Sequence, residues 1–148
     1  MAISQAMCTS FKQELLTATH NFTASTGNTF KLALFRATAS IVGTFGAGTT
    51  NYSNMGADEA SGTNYTAGGN SLTNITPTTS GTTALTDFAD LVFTNVTITT
   101  SGCLIYNSSA SNKSVGVFSF GGDKTATAGD LTIIFPTADA SNAVIRLA

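Results

Sequence analysis

The stretch TALTDFADLVFTNVTITTSGCLIYN, residues 83–107, decides the fold. It divides into strand-length runs, TALTDFADLVFT, NVTITT and GCLIYN, separated by turn residues. In the middle run Val96 and Ile98 alternate with Thr97 and Thr99, which puts apolar side chains on one face and hydroxyls on the other. Threonine is β-branched and polar, so it suits the solvent face of a strand. The same pattern recurs outward, in SLTNITPTT before this stretch and in SVGVFSF, DLTIIFP and NAVIRLA after it. Leu131, Ile133 and Phe135 alternate with Thr132 and Ile134. In TFKLALFRA, Phe30, Leu32 and Leu34 share one face and Phe35 lies on the other, so both faces of that strand should be covered in part. The expected fold is mainly β: an antiparallel β-sandwich or jelly roll with one short N-terminal helix. Its expected core is Phe30, Leu32, Leu34, Val96, Ile98, Leu104, Val117, Leu131, Ile133, Phe135 and Ile145.

The helix reads from residues 9–18. Ser10 with Gln13 fits a capping box, and Phe11, Leu15 and Ala18 follow at helical spacing. Its apolar face is narrow, which suits packing across one end of a sheet or against another subunit. Residues 37–69 are rich in Gly, Asn, Ser and Thr and read as a loop-rich surface region; an unstructured loop of that length is uncommon, so short elements are expected within it. The 148 residues form one expected β domain, 1–148, whose segment 1–21 carries the helix.

Composition narrows the function. Charged residues make up 9%, against about 25% in ordinary proteins, and threonine is roughly a fifth of the chain. The net charge is −2 and the six basic residues form no cluster, which argues against a nucleic-acid partner. No apolar run approaches a membrane span, and MAISQAMCTS lacks the features of a secretory signal. Cys8 and Cys103 read as two reduced, packed thiols. Asn-x-Ser/Thr triplets begin at Asn21, Asn51, Asn64, Asn74, Asn95, Asn107 and Asn112; in a chain so rich in these residues they reflect composition.

Gly121-Gly122-Asp123-Lys124-Thr125 imitates a phosphate-binding loop. Such a loop must run into a helix whose N-terminal amides hold the anion. Here strand-like runs stand on both sides and Asp123 puts a negative charge in the way, so the segment reads as a loop between two neighbouring strands, with no nucleotide. His20, the sole histidine, matches no nucleophile or base motif and reads as a helix-end histidine beside the last carbonyls. One His and two distant Cys cannot build the usual zinc centre. The acidic pairs Asp58 and Glu59, Asp87 and Asp90, and Asp123 and Asp130 sit in no glycosidase or calcium-loop signature. No catalytic, cofactor-binding or metal-binding residue is assigned, and the chain is not expected to be an enzyme.

Several segments together carry a family likeness: SQAMCTSFKQELLTATHNF, TFKLALF, ASGTNYTAGGNSLT, DFADLVFTNVTIT, GCLIYNSS and VGVFSFGGDKTATAGDLTIIFPTADASNAVIRLA. With these the chain resembles a family of small virion proteins of tailed bacteriophages. The resemblance implies a non-enzymatic structural protein, made in the host cytoplasm and placed on the virion. A capsid decoration or cement protein is the expected role, with the major capsid protein and copies of itself, as a trimer, for partners. A tail or head/tail-fibre component is the alternative. A carbohydrate-binding sandwich is a third reading, with Tyr52 and Tyr65 as the rings that would stack on sugars.

Overall fold

The computed structural model describes residues 3–36 and 45–148. In these residues the strands are β1 (Ala6–Met7), β2 (Phe30–Phe35), β3 (Asn70–Ser71), β4 (Asn74–Ser80), β5 (Thr83–Phe88), β6 (Leu91–Asn107), β7 (Lys113–Ile133) and β8 (Ile145–Leu147). One α-helix, α1 (Thr9–Leu16), and a 3-10 helix (Tyr52–Asp58) complete the elements. The strands form two antiparallel sheets, one in the order β1-β7-β6-β2-β3 and one in the order β4-β5-β8. Phe88 and Ile145 of the smaller sheet join the same core as Phe22, Phe30 and Leu32, so the layers pack face to face in a β-sandwich-like arrangement. Phe22 and Phe30 stack with ring centres 4.3 Å apart, and Phe88 lies 5.8 Å from Phe30.

The opening stretch breaks at Ala89-Asp90, which divides TALTDFADLVFT between β5 and β6 in different sheets, and beyond that point it folds more continuously than its turn residues imply. NVTITT and GCLIYN, with LVFT before them, are one strand, and β7 pairs along almost all of it, from Asn107↔Lys113 to Leu91↔Ile133. The glycine-rich segment after Phe120 is therefore no loop joining neighbouring strands. It is a bulge inside β7. Gly102 pairs with Ser119 and Thr100 with Lys124, so residues 120–123 bow out opposite Ser101 while the ladder resumes beyond them. Gly121 and Gly122 take φ of 72° and 139°, which a side chain would resist. A hydrogen bond of 2.5 Å from Ser101 Oγ to Asp123 Oδ1 spans the bulge.

Most of the expected core is buried, including Phe30, Leu32, Leu34, Val96, Ile98, Leu104, Val117 and Ile145. Leu131, Ile133 and Phe135 are only partly buried: among the described residues no third strand covers the far end of β7, and the chain leaves the sheet after Ile133. Phe35 is fully buried against Phe45, as the two-faced reading of β2 requires.

The helix ends two residues earlier than its spacing implies. Ala18 takes a positive φ of 56° and the amides of Thr17, Ala18 and Thr19 turn back onto the carbonyls of Glu14 and Leu15. The Ser10–Gln13 capping box does not form. The helix starts at Thr9 from Cys8, which places Ser10 inside the first turn, and the Thr9 amide is satisfied by the Ala47 carbonyl instead. Part of the segment 37–69 lies outside the described residues. The rest holds the 3-10 helix and buries Phe45, Thr49, Met55 and Ala60, so it forms a wall of the domain as well as a surface. Cys8 and Cys103 are both free and buried.

Candidate functional site

His20 lies past the end of α1, and its ring bonds side chains rather than the last carbonyls of the helix. The ring is buried, 4.9 Å from Phe11, and both nitrogens are bonded. The Asn107 amide donates to Nδ1 at 3.0 Å, which leaves the proton on Nε2 to donate to Glu14 Oε2 at 2.8 Å. Lys113 Nζ closes on Glu14 Oε1 at 2.8 Å. Burial alone would raise the Glu14 carboxyl, but the hydrogen bonds from Lys113 and His20 outweigh it and hold the group below the usual carboxylate range. Asn107 Oδ1 also accepts the amides of Ser109 and Ala110, at the turn between β6 and β7. The network therefore ties α1 to that turn. It presents no free base, since each imidazole nitrogen already has its partner.

A second polar cluster gathers around Glu59. Its Oε2 accepts Tyr52 OH at 2.5 Å; its Oε1 accepts Tyr65 OH at 2.8 Å and the Gly68 amide at 2.6 Å. Tyr65 OH in turn accepts the Leu34 amide, and Tyr106 OH donates to the Gly68 carbonyl. Gly69 sits so close to β2 that a Cβ there would meet the Leu32 carbonyl. Burial, then the Glu59 charge, pushes the Tyr106 phenol up to about 12, and Tyr52 and Tyr65 shift the same way. Tyr52 stacks on Tyr106 at 4.7 Å and Tyr65 lies 5.7 Å from Phe93. The two tyrosines offered for sugar stacking are thus committed to the scaffold.

The acidic pairs do not converge. Asp87 is fully buried and accepts the amides of Phe88 and Val144, while Asp90 accepts that of Phe135. Burial, with the Asp90 charge adding to it, raises the Asp87 carboxyl above its ordinary range despite these bonds. Asp123 holds Ser101 and Asp130 accepts the Asn95 amide, at separate points along β7. Asp58 is buried and Glu59 turns away into the tyrosine cluster. Among the described residues no group of three or more His, Cys, Asp or Glu is arranged to hold a metal ion, and no helix is long and apolar enough to cross a membrane.

Two clefts remain. One, of about 440 Å³, opens between the layers where α1 ends, with Leu15, Phe22, Pro77, Leu85, Ile145 and Leu147 in its walls. Beside it Leu16 is 89% exposed and Leu147 54%. The other, of about 380 Å³, lies where the bulged part of β7 meets residues 142–146. Neither was legible in the sequence, because each depends on segments far apart in the chain. No protein-family model, curated protein or solved structure matches this chain.

Proposed function

We propose that this protein is a non-enzymatic structural component of a tailed-phage virion, a decoration protein that stabilises the head by binding the major capsid protein. The observation that carries the reading is where the chemistry sits. Apart from Asp58, every carboxylate accepts a hydrogen bond from the scaffold, and the one histidine has both nitrogens bonded. What faces outward is mainly uncharged, threonines and asparagines with a few scattered charges such as Lys12, Lys124 and Asp130, and a few exposed apolar side chains lie around the end of α1. Such a surface suits fixed, salt-insensitive contacts with neighbours. A trimer is the expected assembly, and Leu16 its expected contact or that with the capsid.

The test is to prepare filled heads without the protein, add it back, and follow DNA retention on heating or chelation. Wild-type protein should restore retention and Leu16→Asp should not. Heads that retain DNA equally well without it, but adsorb poorly to cells, would overturn the decoration role in favour of a tail or fibre component.

A further inference from the structure

The cleft between β7 and residues 142–146 combines ring surface with unused polar groups. Phe118, Phe120 and Phe135 form its apolar wall, each left partly buried. Gln5, Ser119, Asn142 and Arg146 supply its polar side. Gln5 Oε1 accepts the Ser119 amide, and Ser119 Oγ accepts that of Gly121. Asn142 Nδ2 donates to both oxygens of Asp139, and Arg146 Nη1 donates to the carbonyls of Ala140 and Ser141. That leaves the Gln5 amide protons, the Ser119 hydroxyl proton, the Asn142 carbonyl oxygen and the other Arg146 N–H groups without partners among the described residues.

The chemistry of this set selects its ligand. No carboxylate lines the cleft, Arg146 brings it a positive charge and both Asp139 oxygens already accept Asn142 Nδ2, so a cation is disfavoured. An anion would meet Arg146 but would be repelled by the Asn142 oxygen. A hydroxyl both donates and accepts, and neighbouring hydroxyls can use the Gln5 and Arg146 donors and the Asn142 acceptor together. The C–H face of a sugar ring lies favourably on an aromatic face, whose π cloud is negative. A volume of about 380 Å³ is at the lower end of ordinary ligand sites, about 300–1,000 Å³.

We propose that this cleft binds a neutral saccharide, with a sugar ring against the phenylalanines and its hydroxyls on Gln5, Asn142 and Arg146. The proposal is independent of where the protein sits on a particle. It is tested by NMR titration of the intact chain with glucose, galactose, rhamnose and N-acetylglucosamine, with glucuronate as the charged control. At least one neutral sugar should move the amide signals of residues 118–121 and 142–146. Phe120→Leu, which keeps apolar volume but removes the ring, and Gln5→Ala, at an exposed position, should each weaken that binding about tenfold. Leu16→Asp should leave it unchanged. Three results would overturn the proposal: silence with all four neutral sugars at tens of millimolar, a response to glucuronate alone, or signal changes centred on another part of the molecule.

Discussion

The two halves of the β6–β7 hairpin are built from the same kind of sequence and meet different surroundings. From residues 101–107 every position of β6 is buried, because β2 flanks it on one edge, β7 on the other, and side chains cover both faces. From residues 91–100 buried and exposed positions interleave, with Phe93, Val96 and Ile98 inward and Val92, Thr94 and Thr97 outward, the alternation slipping by one at Asn95, which takes a φ of 50°. There β2 has ended and, among the described residues, the ribbon is two-stranded apart from one bridge, Thr63↔Thr97. Interleaved apolar and polar positions therefore mark a ribbon with one wet face, and the loss of that pattern in GCLIYN marks the centre of the sheet. The pairing shifts register on both sides of that boundary, so the continuous strand bends through bulges rather than breaking.

The comparison can be broken first at the inner half. Leu104→Ala should cost about 2–5 kcal/mol in denaturant melts, since the site is fully buried between two neighbouring strands. A loss under about 1 kcal/mol would mean that the inner half is not the core. Next is the boundary. A Cβ on Gly102 would lie 2.4 Å from the Phe118 carbonyl and 2.8 Å from the Phe35 ring, so Gly102→Ala should cost about 1–3 kcal/mol by overpacking. A neutral result would place the bend elsewhere.

Matched chemistry sharpens the contrast. Ile98→Val in the outer half and Ile105→Val in the inner half should each cost about 0.5–1.5 kcal/mol, with Ile105 the larger because its surroundings can relax least. The reverse order in paired melts would contradict the distinction. The smallest effect concerns pH. The Glu14 carboxyl has a lower pKa folded than unfolded, so its contribution is present above the unfolded value and is lost as pH falls through the folded one. Glu14→Gln should therefore flatten the acid limb of a stability-against-pH curve below about pH 4.5, with little change of slope near neutrality. An acid limb as steep as that of the wild type would show that the Lys113–Glu14–His20 tie does not act on the fold.

Strand existence was legible because alternation and β-branching are local signals. Strand continuity was not. Ser101-Gly102 and Gly121-Gly122 look like turns, and only the partner strand decides whether such residues end a ladder or bulge within it. Phe135 looks as apolar as Phe30, yet it is only partly covered, since among the described residues the sheet has no third strand at that end. The polar clusters were hidden for a related reason. Glu14 meets Lys113 across 99 positions and Asn107 meets His20 across 87, distances over which sequence spacing carries no pattern. Asn107 was visible only as part of a triplet set by composition, and it proves to be a buried joint of the fold.

The pairing of β5 with β8 has a consequence for biosynthesis. Thr86 meets Ile145, and the buried Asp87 accepts the amide of Val144, 57 residues away. While a ribosome is still making the intervening chain, β5 has one open edge and Asp87 lacks one of its two amide partners. The smaller sheet can thus close only after residues 144–147 have been made, and topologies ruled by such distant pairings fold slowly, in milliseconds to seconds. A nascent chain stalled before residue 144 should expose Phe88 and the open edge of β5 to chaperones, while the β6–β7 hairpin, whose partners are adjacent in the chain, is free to form first.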